Sequence, residues 1–153
     1  MNLADSFFCS CLAFTSLASF AAPASADAPA ETGGVLVNVG PLRNARGSIA
    51  CRLYKSAEGF PRTSNGTLTQ RAKVAGTTAR CTFDKLPPGT YAVMVHHDEN
   101  DNGKFDTNVL GLPLEGYGAS NNHLPTLSAP RWEASKFAVE RGKSRELAIS
   151  VRY

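Results

Sequence analysis

Apolar and polar residues alternate with a period of two from one end of this chain to the other, and that rhythm restricts the fold more than any other feature. It begins at "GVLVNVG", which sets Val35, Val37 and Val39 on one side. "SIACRLY" groups Ile49, Cys51 and Leu53 with Arg52 outward, and "TARCTF" groups Ala79, Cys81 and Phe83 with Arg80 outward. "TYAVMVHH" sets Tyr91, Val93 and Val95 against Ala92, Met94 and His96. "KFAVE" offers Phe137 and Val139, and "RELAISVRY" offers Leu147, Ile149, Val151 and Tyr153. A weaker run, "RAKVA", surrounds Val74. Successive side chains of a strand point to opposite faces, so each run can bury one face and wet the other. Turn-forming clusters separate the runs: Arg43 to Gly47, Ser64 to Gly66, Leu86 to Gly89, and Arg141 to Lys143. No long amphipathic helix is written in the chain; Glu133 to Lys136, after Pro130, has room for one turn. The pattern predicts an all-β fold, a single antiparallel sandwich of about seven strands over residues 34–153.

The first 26 residues read differently. They are apolar and rich in small side chains, and they end in Ala24-Ser25-Ala26, a signal-peptidase type site. The leader holds no Lys or Arg. Its apolar stretch is short and broken by Ser, Thr and Pro, which favours a cleaved signal over a membrane anchor. Residues 27–33 form a linker. The expected location is therefore periplasmic or secreted, with no transmembrane segment once the leader is gone. Without the leader the acids fall from 13 to 12 through loss of Asp5, while all 16 Lys and Arg stay, a net charge of +4. That charge is spread out and the single Trp is isolated, so a nucleic-acid partner is not expected. Two of the four cysteines, Cys51 and Cys81, lie beyond the leader. An even pair in an exported chain predicts a disulfide. C-x-x-C spacing is absent, which argues against redox catalysis and a cysteine zinc site.

One segment breaks the strand rhythm, from Asp98 to Trp132. A loop this long in a compact domain is usually functional or held by something. Its first part, "DENDNGKFD", fits D-x-[DN]-x-[DN]-G-x-x-D, the opening positions of a calcium loop. Oxygens at alternate positions of a tight turn converge on one centre, and the glycine permits the bend. Asp98, Asn100 and Asn102 would ligate through side chains, Lys104 through its carbonyl, and Asp106 directly or through water. Position twelve is Val109 where a bidentate Glu belongs, and the flanks predict strand and coil, so an EF-hand is excluded. Glu115 is the candidate distal ligand. The competing reading is a solvated loop whose carboxylates cap their own backbone N–H groups. His96 and His97 are adjacent on a strand and face opposite ways, which disfavours a shared zinc; His123 is a distant third. Ser120 does not sit in G-x-S-x-G, so a hydrolase elbow is not supported.

"LPPGTYAVMVHHDENDNGKFDTNVLGLPLEGYGASNN" resembles the bacterial family known as domain of unknown function number 2141, and "VNVGPLRNARGSIACRLY" and "KFAVERG…LAISVRY" extend the likeness from about Val35 to Tyr153. "FDKLPPGTYAVMV" alone is similar to transthyretin-like and carboxypeptidase-regulatory-like sandwiches. The resemblance implies an exported bacterial β-sandwich, and it carries no catalytic residue over to this chain. The expectation is a non-catalytic binding or structural module of the cell envelope, with a calcium-stabilised loop and an envelope or extracellular ligand as partner. The alternative is a hydrolase or lyase on an envelope polymer through Asp98, His97 and Glu115.

Overall fold

The computed structural model describes residues 31–63, 65–126 and 128–153. The expected leader and the start of the linker lie outside the described residues. Among the described residues there are eight strands: β1 (Gly33–Val39), β2 (Ser48–Tyr54), β3 (Leu68–Lys73), β4 (Ala79–Leu86), β5 (Gly89–Asp98), β6 (Gly116–Ala119), β7 (Phe137–Val139) and β8 (Ser144–Ile149). One sheet has the order β4-β1-β8, and the other β3-β2-β5-β6, with β7 pairing the start of β5. All pairs are antiparallel except β1 with β8, which run parallel in unbroken register from Gly34 and Ser144 to Val39 and Ile149. Parallel neighbours need a long connection between them, and here almost the whole domain supplies it. Among the described residues, no helix is long and apolar enough to cross a membrane.

The alternation read from the sequence is the one the fold uses. Val35, Val37, Val39, Ile49, Leu53, Phe83, Val93, Val95, Val139 and Ile149 meet in a single core between the sheets. Cys51 of β2 and Cys81 of β4 are bonded, with 6.5 Å between their Cα atoms, so the disulfide joins one sheet to the other through the core. The helical turn forms at Trp132–Ser135. Strand β3 covers Leu68–Lys73 and stops short of Val74, and β8 stops at Ile149, leaving Arg152 to bridge Tyr117.

Strand β6 lies inside the segment that carries no strand pattern. Its sequence, Gly116-Tyr117-Gly118-Ala119, has one large side chain. The glycines answer a packing need. A Cβ at Gly116 would lie 2.4 Å from the Tyr153 ring, and one at Gly118 would lie 2.7 Å from Ile149. The C-terminal segment therefore crosses close beneath β6, and only glycine leaves the space.

Candidate functional site

The outer face of the β3-β2-β5-β6 sheet carries the candidate site. Register places Arg71, Ala50, His96 and Tyr117 in one row across the four strands, and Thr69, Arg52, Met94 and Ala119 in the next. Beyond the first row lie Lys73, Ser48 and Asp98, at the point where β5 enters its long loop.

Asp98 is fully buried. Its Oδ1 accepts the Asn102 N–H at 3.0 Å, and its Oδ2 accepts the Gly103 N–H and an Arg71 guanidinium N–H, both at 2.8 Å. Arg71 also donates to Ser48 Oγ, which donates to Asp101 Oδ1 at 2.6 Å. Burial pushes the Asp98 carboxyl up, but Arg71 and the two N–H groups outweigh it and hold the group below the ordinary Asp value. Asn100 Oδ1 accepts the Asn102 N–H, and Asn102 Oδ1 accepts the Lys104 N–H. Both asparagines turn their amide N–H groups onto Asp106, from Asn100 at 2.8 Å and from Asn102 at 2.9 and 3.1 Å. The structure thus brings Asp98, Asn100, Asn102, Lys104 and Asp106 into one tight turn around shared hydrogen bonds. Val109 is fully exposed and points away from it. Among the described residues, no three His, Cys, Asp or Glu side chains gather as a metal-binding group. A cation in this turn therefore depends on the asparagine amides and on Lys104.

Glu115 sits beside the turn and ties it to the sheet. Its Oε1 accepts the Glu99 N–H at 3.0 Å, and its Oε2 accepts the Asp106 N–H at 3.1 Å and contacts His96 Nε2 at 2.8 Å. A carboxylate that accepts from two backbone groups makes Nε2 the donor. His96 is 8% exposed and its Nδ1 is buried without a partner.

His97 is on the other face. Its Nε2 lies 2.8 Å from the Arg46 carbonyl, which can only accept, so Nε2 carries the proton. Its Nδ1, 2.7 Å away, then takes the hydroxyl proton of Tyr153, whose oxygen accepts the Arg43 N–H. His97 is fully buried and its ring is satisfied at both nitrogens. Asp98, His97 and Glu115 are therefore not assembled as one cluster: the histidine that meets Glu115 is His96. Ser120 is a buried clamp, taking the Val93 N–H at 2.9 Å and bonding the Ser135 carbonyl at 2.5 Å.

Glu99 anchors the loop from the opposite side. Arg43 reaches it at 2.5 Å and Asn44 at 2.6 Å, and its backbone packs against Gly47. Burial raises the Glu99 carboxyl, but Asn44 and Arg43 together bring it below its ordinary value. Gly47 has φ of +68°, and a Cβ there would stand 1.9 Å from the Asp98 carbonyl oxygen.

Between the loop and the far end of the sheet lies a cleft of about 510 Å³. Met94 and His96 floor it, and Phe105 and Leu112 come down on it from the loop. Phe105 stands edge-on to both His96, at 5.0 Å between ring centroids, and Tyr117, at 5.9 Å. At the other end Tyr54, Phe60 and Trp132 form an edge-to-face chain. Arg71, His96 and the cleft escape a reading of the sequence alone. They are joined by strand register, and no local spacing marks them.

Comparison with known proteins places the chain in a family and goes no further. No curated protein and no solved structure matches it. Residues 37–147 match the family described as "Uncharacterized protein conserved in bacteria (DUF2141)". That span covers most of the chain and the whole candidate site, and the chain belongs to this family.

Proposed function

We propose that this domain is a non-catalytic binding module that works outside the cytoplasm, in the cell envelope or beyond it, and that a weak calcium site stiffens the loop framing its cleft. The observation that carries the reading is Phe105. It belongs to the Asp98–Asp106 turn, yet its ring forms a wall of the cleft, so whatever orders the turn also shapes the cleft. Pockets of a few hundred cubic ångströms, mainly apolar with a few placed polar groups, are the usual form of a small-molecule site. The disulfide supports export, since such bonds persist in oxidising compartments.

Calcium is the fitting cation because the ligands are all oxygens of mixed charge, with alternate spacing around a glycine bend. The missing bidentate glutamate makes the site weak, with a dissociation constant of about 10⁻⁴–10⁻³ M, the range of extracellular modules. Arg71 already holds one oxygen of Asp98 and competes for it. Calorimetric titration tests this. Calcium binds the native protein in that range, Asp98→Ala loses binding, and Arg71→Gln tightens it. No heat from any of the three proteins at millimolar calcium means that the turn is held by its own hydrogen bonds alone.

A further inference from the structure

We infer that the cleft takes a small organic anion: a molecule with a flat apolar body and one carboxylate-type group. This rests on the binding-module reading and names its ligand class. The apolar part of the site is built from Met94, Phe105, Leu112 and Tyr117, with prolines at the rim. The charged part is one-sided. Arg52 and Arg62 line the cleft, and no Asp or Glu does. Neither arginine is in an ion pair among the described residues, though Arg52 also hydrogen-bonds the Tyr54 hydroxyl, whereas Arg43, Arg46 and Arg71 all pair with a carboxylate. Arg52 rises from the floor beside Met94, and Arg62 stands exposed on the loop that follows Phe60 and Pro61.

A guanidinium over an apolar floor is a receptor for a planar anion, because its N–H groups match both carboxylate oxygens. His96 adds a second, independent sign. Its Nε2–H is committed to Glu115, and its Nδ1 is buried with no partner, on a residue that lines the cleft. A buried acceptor left unpaired is costly unless a donor arrives. A ligand hydroxyl or a trapped water can supply one.

The cleft volume admits a two-ring molecule. The test uses 2-naphthylacetate and its neutral match, 2-naphthylacetamide, titrated into the purified protein with 5 mM calcium and followed by calorimetry and amide NMR. The acid binds at least tenfold more tightly than the amide, with shifts centred on residues 94, 96, 105, 112 and 117. The double variant R52Q/R62Q, shown to melt cooperatively, brings the acid down to the affinity of the amide. Leu112→Ser weakens both ligands alike. Equal affinity of acid and amide for the wild type overturns the anion assignment and leaves the binding-module reading standing. An acid preference that survives in R52Q/R62Q, or shifts lying outside the cleft, also overturns it. No binding of either compound at millimolar concentration sinks the assignment and the cleft with it. A calcium titration of the same samples separates either result from failure of the loop.

Discussion

The buried Asp98 carboxylate accepts three hydrogen bonds, from the Asn102 and Gly103 N–H groups and from Arg71. The spacing of Asp98, Asn100, Asn102 and Asp106 around Gly103 predicts one inward-facing turn, and the hydrogen bonds close it. Arg71 does not announce itself, because it reaches Asp98 only through the register that sets it across from Ala50. For the same reason Glu115 is legible as a lone acid but its meeting with His96 is not. Asp98 and Glu99 both lie below their ordinary values in the fold, so each favours the folded state while ionised. That stabilisation is full above about pH 5 and is lost as pH falls through 4 and below, toward the folded-state values. Arg71→Gln removes the charged donor from a buried carboxylate. Arg71 is itself partly exposed, so the cost at pH 7 is about 1–2 kcal/mol. Urea unfolding at two pH values checks this: the gap between variant and wild type is present at pH 7 and is smaller at pH 3. A gap of equal size at both values means the Arg71–Asp98 pair does not supply the stability assigned to it.

Elements were legible where side chains alternate. Strands β1, β2, β4, β5, β7 and β8 all follow runs of large inward residues, and their core faces are those the spacing gives. Strand β6 was hidden because Gly116, Gly118 and Ala119 carry almost no side chain to set a period. The two glycines are dictated by Tyr153 and Ile149 beneath them, which no local pattern reveals. The link between sheets is the disulfide, closing a sequence separation of 30. Alkylation of denatured, unreduced protein should label neither Cys51 nor Cys81. Cys51→Ala/Cys81→Ala should lower stability by about 3–4 kcal/mol on the chain-entropy account, read by denaturant unfolding. Free thiols at both positions contradict the bond. The turn before β2 makes a sharper demand. Gly47→Ala places a methyl group against the Asp98 carbonyl in a left-handed conformation, and should cost more than about 1 kcal/mol. Its effect should reach the loop as well, seen as faster proteolysis between residues 99 and 114. A variant as stable as wild type would mean that the turn and the loop base are not in contact.

At the scale of the molecule, a two-sheet sandwich holds a rigid outer face, and one long loop folds back over it to leave a cleft. The core places Met94 and His96 because Val93 and Val95, between and beside them, must face inward. The loop then supplies Phe105 and Leu112 as walls. Export is the matching expectation for the whole chain: intact mass of periplasmic or culture-fluid protein should begin at Asp27, and a full-length cytoplasmic product would refute it. If a cation orders the loop and so the cleft, calcium raises the melting temperature of the whole domain. At calcium ten times the dissociation constant, binding to the folded state adds about 1.4 kcal/mol. For a domain of this size that raises Tm by about 4–8 °C. Magnesium should do much less, since it requires a tighter octahedral shell. Asp98→Ala should show no calcium shift, while Leu112→Ser, which touches the cleft and not the turn, should keep it. A Tm that millimolar calcium leaves unmoved in the native protein would mean that no cation orders the loop.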